Sequence, residues 1–298
     1  MQNKYFAQLA GLSVLWGATF LFTRVATPDL GPSMTAAGRI GLAAATLALI
    51  MAFTRQRWPW EHWRALTVLA ALSVAGPHFL YAWSSLHLPA GYSAVLSVTS
   101  VIFGTFTSAW LREDILTSSK VFGCIAGFAG VALVVQLGPM RPTPELVFAA
   151  IIAICGSALS GASAPLLKRA TKKMEPLAIT AVMHVVAFMM LLPGALWTLP
   201  EAHFTGTAVI SVATIGIFTS GLAYWQYMRI VQKVSPVAAL GSTFMATISG
   251  IVWGHLVLHE QFTGATYAGG LLVLSAIVLV TGFNPWRRPL PPVDPNQR

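Results

Sequence analysis

The chain has 298 residues, of which 56% are hydrophobic and only 9% charged, with a formal net charge of +9. Soluble domains carry roughly 25% charged residues, so this composition excludes a water-soluble globular enzyme and makes lipid the solvent for most of the chain. The basic residues gather in short loops, which argues against a nucleic-acid footprint. The two cysteines, Cys124 and Cys155, both sit in apolar runs, so neither a disulfide framework nor a metal-thiolate spacing is implied.

A membrane-spanning helix needs about 20 apolar residues. Runs of that kind are predicted near 5–24, 32–53, 64–86, 89–111, 117–137, 145–167, 175–198, 206–231, 235–258 and 264–283. Met1 to Lys4 does not read as a signal peptide, and the first run is long enough to span. The connections are short and carry Pro, Gly or charge, as at Thr27-Pro28-Asp29 and Gly138-Pro139, leaving no room for a soluble domain.

Polar side chains inside these runs are the candidates for function, because intramembrane polar positions face a bundle interior or a wet cavity. In the first run Trp16, Thr19 and Thr23 share one helix face, with Gly17 beside them as a packing residue. In the second run Arg39 lies within the apolar tract. It reads as a structural or gating residue that snorkels or meets helix-end carbonyls, with a clamp on a substrate carboxylate as the rival reading. The third run holds the densest group, Ala75-Gly76-Pro77-His78-Phe79-Leu80-Tyr81-Ala82-Trp83. Pro77 frees a backbone carbonyl one turn back. His78 and Tyr81 are three apart and share a face, so both are predicted to face a wet cavity and whatever molecule enters it. Tyr92, with Ser93 and Ser97, opens the fourth run, and Glu113 closes it near the membrane surface.

The second half repeats the first. Leu15-Trp16-Gly17-Ala18-Thr19 matches Leu159-Ser160-Gly161-Ala162-Ser163 at an offset of 144, which makes Ser160 and Ser163 the counterparts of Trp16 and Thr19. Further on the offset becomes 147: Pro89 pairs with Pro236, Glu113 with Glu260, and His78 with Trp225, while His184 approximates Arg39. Five predicted spans in each half force the second half to run inverted, and inverted repeats place a site near the bilayer midplane between the halves. The expected units are 1–140, 141–285 and a tail at 286–298.

With the N-terminus inside, the inner segments hold Lys4; Arg55, Arg57 and Arg64; Arg112 and Lys120; Lys168, Arg169, Lys172 and Lys173; Arg229 and Lys233; Arg287, Arg288 and Arg298, which is 15 of the 18 basic residues. The positive-inside rule then predicts that both termini are cytoplasmic.

This pattern resembles the drug/metabolite transporter superfamily, EamA type. The resemblance is carried by Leu15-Trp16-Gly17-Ala18-Thr19 and its echo, by Arg39, and by Leu111-Arg112-Glu113 and Leu258-His259-Glu260, over about residues 5 to 285. Through His78 and Tyr81 it is most similar to the YddG-type bacterial exporters of aromatic and hydrophobic amino acids. The resemblance implies an all-α polytopic fold in the bacterial inner membrane, ten transmembrane helices in two inverted five-helix repeats, and a central cavity worked by alternating access. It implies no cofactor, no metal and no enzyme activity. The partners expected are a small-molecule substrate (an amino acid) and the lipid bilayer, with no nucleic acid and no obligatory protein partner.

Two other classes have weaker support. A drug or lipophilic-cation exporter of the same superfamily would need a counter-charge, yet no run holds an Asp or Glu at mid-depth. Gly156-Ser157-Ala158-Leu159-Ser160-Gly161 with a remote His184 could be read as an intramembrane hydrolase, but small-residue strings are ordinary packing signals in lipid. His255 and His259 stand four apart beside Glu260, in an order that does not match the metalloprotease motif.

Overall fold

The computed structural model describes residues 2–88, 90–134, 143–258 and 264–282. Pro89, Arg141, His259, Glu260 and the tail at 286–298 lie outside them, and so do the pairings of Pro89 with Pro236 and of Glu113 with Glu260. The described chain is helical, and no strand occurs among the described residues.

Helix α1 (Asn3–Thr54) is continuous in name only. A straight helix of 52 residues would be about 78 Å long, against a bilayer core of about 30 Å. It breaks at Gly31, whose φ of 73° and ψ of 162° suit glycine alone, between Pro28 and Pro32. A residue before proline is pushed out of the α region, and glycine lets it take this left-handed turn. The two arms, 3–30 and 32–54, fold back on each other. Trp16 of the first arm and Arg39 of the second both hydrogen-bond to Thr219, which a straight rod could not do.

The next crossing is built from α2 (Trp63–Leu69), a π-helical segment at Ala70–Ala75, and α3 (Gly76–Ser84). Then come α4 (Ala90–Ser97) with α5 (Thr99–Trp110), and α6 (Ser118–Val134). The second half runs through α7 (Pro144–Ala170) and α8 (Pro176–Thr198). Helix α9 (Gly206–Thr214) passes through a second π-helical segment, Ile215–Ala223, into α10 (Tyr224–Val231). Helices α11 (Pro236–Leu240), α12 (Ser242–Leu258) and α13 (Gly264–Thr281) follow. Starts are set by local chemistry: Thr143, Thr205 and Ser235 accept from the backbone N–H three residues on, and Pro144 and Pro236 occupy first positions where no N–H is needed.

Among the described residues five helices are long and apolar enough to cross a membrane: Asn3–Thr54, Trp60–Ser84, Pro144–Ala170, Pro176–Glu201 and Gly206–Val231. Large apolar side chains cover the outside, with Trp197 87% and Trp110 81% exposed, as a lipid-facing surface requires. The core between the helices is built around Leu9, Ile40, Leu66, Val98, Met183, Met228 and Phe244.

The repeat is visible in the packing. A Cβ on Gly17 would stand 2.5 Å from the Gly250 nitrogen, so the first arm of α1 meets α12 backbone to backbone. A Cβ on Gly161, 144 positions on, would stand 2.8 Å from the Gly104 nitrogen where α7 meets α5. Each crossing joins one half of the chain to the other. The π-helical segments also correspond, since 70–75 advanced by 147 gives 217–222, inside the second segment.

Candidate functional site

A cavity of about 200 Å³ lies between the two halves. The first arm of α1 gives it Trp16, Thr19, Phe20, Thr23 and Arg24; the second arm gives Arg39. Helix α3 and its end give Pro77, His78, Tyr81 and Ser85, while α4 and α5 give Ser93, Ser97 and Ser100. From the second half come Ser160 of α7 and Thr243 and Ala246 of α12. The lining combines the aromatic side chains of Trp16, Phe20 and Tyr81 with the hydroxyls of Thr19, Thr23, Ser85, Ser93, Ser97, Ser100, Ser160 and Thr243. Neither aspartate nor glutamate lines it among the described residues.

Each key side chain is held by its neighbours. Trp16 donates its indole N–H to the Thr219 carbonyl at 3.2 Å and meets Tyr227 edge-on at 5.1 Å between ring centroids. The His78 Nδ1 is 2.7 Å from the carbonyl of Val74, one turn back on its own helix. A carbonyl only accepts, so Nδ1 carries the hydrogen and Nε2 is the ring's second polar atom. Tyr81 Oη pairs with Ser157 Oγ at 2.7 Å, tying α3 to α7. Arg39 donates through Nε to Ser220 Oγ at 2.5 Å and through Nη2 to Thr219 Oγ1 at 3.3 Å. Arg24 donates from Nη1 to the carbonyls of Ser85 and Leu88, at 3.0 and 2.6 Å, and so caps the end of α3. Two side-chain oxygens of the lining, Thr19 Oγ1 and Ser93 Oγ, are buried with no hydrogen-bond partner.

The ends of the helices remote from Arg24 and Ser85 are tied together. Lys168 donates to the carbonyls of Val231, Gln232 and Val234, and Gln232 donates its amide to the Thr171 carbonyl. Arg169 and Lys172 both pair with Glu113 past the end of α5, at 2.8 and 2.7 Å. The Lys172 hydrogen bond, followed by that of Arg169, holds the Glu113 carboxyl below its ordinary value.

A cavity between two matching halves of an apolar helical bundle fits a known architecture. The model of the EamA-like transporter family matches the sequence twice, over residues 5–136 and 147–282. The chain belongs to the EamA-like transporter family. Among its relatives, the "uncharacterized transporter YvbV" of Bacillus subtilis (strain 168) is 27% identical over 278 residues, covering 91% of this chain and 90% of that protein. "Protein PecM" of Dickeya dadantii (strain 3937) is 25% identical, covering 97% of this chain and 95% of the other. A solved crystal structure superposes with a TM-score of 0.79 at 17% identity, covering 94% of this chain and 99% of its own, which supports the fold. This EamA protein is thus a membrane transporter, and the hydrolase reading has no support from its relatives.

The transporter's cavity brings together Trp16, Thr19, His78, Tyr81 and Ser160, and adds Pro77 and Arg39, which the sequence suggests as structural or gating residues. It does not take in the other candidates. Ser163 is 1% exposed and donates to the Ser160 carbonyl at 2.7 Å. Tyr92 packs beside Leu88, Ala149 and Ala153. Trp225 lies beyond the cavity, against the separate cluster of Leu47, Met51, Leu177, Ala178 and Ala181 and beneath the Arg229 guanidinium. The aromatics that α10 turns inward are instead Tyr227, on Trp16, and Tyr224, whose hydroxyl pairs with Ser73 of the first π-helical segment. The physical reason is the unequal length of those segments, six residues against nine. A π turn holds an extra residue, and each residue turns an α-helix by about 100°. Counting residues between repeats therefore does not carry over the side-chain direction. His184 is fully buried outside the cavity, with Nδ1 donating to the Thr180 carbonyl and its ring edge-on to Tyr224. Phe20, Arg24, Ser85, Ser100 and Ala246 escaped the sequence reading; Arg24 alone carried a signal, as a basic residue outside the inner loops.

Proposed function

We propose that this EamA transporter exports small hydrophobic and aromatic amino acids from the cytoplasm by alternating access, with the cavity between the repeats as the substrate site. The observation that carries the reading is the lining itself: the aromatic side chains of Trp16, Phe20 and Tyr81 together with many hydroxyls, and no carboxylate among the described residues. A lipophilic cation would find no counter-charge there, and aromatic faces return only about 0.5–2 kcal/mol to a cation. A zwitterion carries its own counter-charge, and its hydrophobic side chain gains from burial against the rings. The size fits a small cargo, since pockets for drug-sized ligands run to about 300–1,000 Å³.

With both termini cytoplasmic, as the basic loops predict, the network of Glu113, Lys168, Arg169 and Lys172 closes the inner side. The cavity then runs from mid-depth at Trp16, Ser100 and Ser160 toward the outer ends at Arg24 and Ser85, an outward-facing arrangement. Helix pairs drawn from the expected units 1–140 and 141–285 would rock about it. The test is uptake into everted vesicles of a panel of labelled amino acids and lipophilic cations, with and without a pH gradient. Uptake of phenylalanine, leucine or tryptophan with little dependence on the gradient is expected. Tight antiport of a quaternary ammonium drug against protons, with amino acids inert, would overturn the proposal.

A further inference from the structure

We propose that Arg39 binds the carboxylate of the cargo, and that this carboxylate, rather than the ammonium group, is the polar feature the cavity selects. The carrier then also takes aromatic carboxylates that lack an amino group. The inference deepens the reading of this cavity as an aromatic-substrate site and rests on it.

Arg39 lacks partners for most of its donors among the described residues. A guanidinium has five N–H donors. Here Nε donates to Ser220 and one Nη2 hydrogen to Thr219. Both acceptors are neutral hydroxyls. Thr219 gives its own hydrogen to the Ile215 carbonyl at 2.6 Å, so toward Arg39 it acts as an acceptor only. These bonds fix the plane of the guanidinium and leave three donors without a partner among the described residues. Its position, eight residues past the break at Gly31, is about 12 Å along the second arm. The ion pairs among the described residues are Lys120–Asp114, Arg169–Glu113 and Lys172–Glu113, and none involves Arg39. A charge at such depth without an anion is costly, and an anion entering the cavity relieves that cost by bidentate pairing.

The second observation is independent. Buried polar groups nearly always have a hydrogen-bond partner, yet Thr19 Oγ1 and Ser93 Oγ in the same lining have none. Two unpartnered hydroxyls in the same lining as a guanidinium with three free donors point to a polar group that arrives with the cargo. A hydroxyl serves an ammonium as well as a carboxylate, so the sign of the charge decides between them. The lining carries Arg24 and Arg39 and no acid among the described residues. An ammonium there gains hydrogen bonds but no counter-ion, and two guanidinium groups repel it. The geometry also suits a molecule with a ring and a carboxylate close together, because Trp16 and Arg39 reach the same residue, Thr219.

The experiment is counterflow of labelled phenylalanine into liposomes holding the full-length protein, challenged with unlabelled 3-phenylpropionate, phenylalanine amide and 2-phenylethylamine, with direct uptake of labelled 3-phenylpropionate and tetraphenylphosphonium measured in parallel. The expected result is competition by 3-phenylpropionate within about tenfold of phenylalanine, with the amide and the amine weaker by on the order of 10²-fold. Arg39→Gln should erase that preference while leaving monodisperse protein in detergent; Arg39→Lys, which keeps the charge but not the fork, should keep part of it. If Arg39→Gln does not fold, the competitor series on the parent protein decides alone. Competition by the amine and the amide but not by 3-phenylpropionate overturns the inference and leaves the amino-acid reading standing. Equal selectivity in the parent and in folded Arg39→Gln overturns the role of Arg39. Carriage of 3-phenylpropionate but not of phenylalanine overturns the amino-acid reading and supports the inference. Carriage of tetraphenylphosphonium with every carboxylate inert overturns both.

Discussion

Gly17→Ala is expected to destabilise the protein, although alanine is the better helix former. A Cβ at this position would stand 2.5 Å from the Gly250 nitrogen, 2.7 Å from the Ser249 carbonyl carbon and 2.8 Å from the Ala246 carbonyl oxygen. Comfortable contact begins at about 3.5 Å, so α1 and α12 must part by nearly 1 Å. The obstructing atoms are all backbone, so no side chain can swing aside. Overpacking of this kind costs about 1–3 kcal/mol, and rigid neighbours place it at the upper end. Against this stands about 1 kcal/mol gained from replacing a helical glycine. Gly11→Ala isolates that gain, because nothing lies within 4 Å of its new Cβ on the same arm. The two variants should therefore melt apart by on the order of 5–10 °C, Gly17→Ala below the parent and Gly11→Ala at or above it, at one scan rate in one detergent. Gly161→Ala, with its Cβ 2.3 Å from the Ser100 carbonyl oxygen, should behave like Gly17→Ala. If Gly17→Ala and Gly11→Ala melt together, the two helices are not in backbone contact and the account of the crossing is wrong.

Three further outcomes are expected. Glu113 bridges Arg169 and Lys172, and these partners favour its charged form, so the closure it makes is fully present above the ordinary glutamate pKa and is lost as pH falls through its lowered value. Cysteine-labelling at the ends of α5 and α7 should therefore rise at acid pH, and Glu113→Gln, which removes both pairs, should raise it at neutral pH by no more than roughly thirtyfold, because exposed ion pairs are worth about 0–1 kcal/mol each; labelling that ignores both pH and the substitution would remove the network from the mechanism. Tyr81→Phe keeps the ring and loses the bond to Ser157, so it should transport within about tenfold of the parent, whereas Tyr81→Ala, which removes part of the aromatic wall, should be nearly inactive while still inserted. His78→Ala breaks a bond only to its own helix, at Val74, so folded protein is expected with impaired phenylalanine counterflow; full activity would show that the imidazole does not face the cargo.

Much of the architecture was legible because lipid imposes one rule on every span. Continuous apolar runs announced helices, the connection at Thr27-Pro28-Asp29 announced a turn close to the break that α1 makes at Gly31, and the echo of Leu15–Thr19 at Leu159–Ser163 announced the repeat. His78 and Tyr81 stood out because polar groups are costly at that depth, and helical spacing correctly set them on one face. The misplacement of Trp225 has a definite origin: helical phase is lost across a π-helical segment, and nothing in Ile215–Ala223 reads differently from an ordinary apolar helix. Ser163 and Tyr92 were ambiguous for another reason, since a serine or tyrosine in a span is satisfied as well by a carbonyl or a packed neighbour as by a cavity. Arg39 and the want of a mid-depth carboxylate could both be seen in the sequence, but the hydroxyls that hold it could not, because the pairing of Arg39 with Thr219 and Ser220 depends on which helices meet in three dimensions.

Thr219 has a consequence of its own. Its carbonyl receives the indole N–H of Trp16 from one arm of α1, and its hydroxyl receives the guanidinium of Arg39 from the other. The residue belongs to the second half of the chain, whereas both side chains it holds belong to the first. An aromatic surface and a positive charge thus hang from a single peg. If the halves shift against each other, the peg moves relative to both, and neither can stay behind in its former position alone. A molecule lying across the two would lose its grip at the ring and at its polar end in the same motion, so release would be one event with no half-detached stage between.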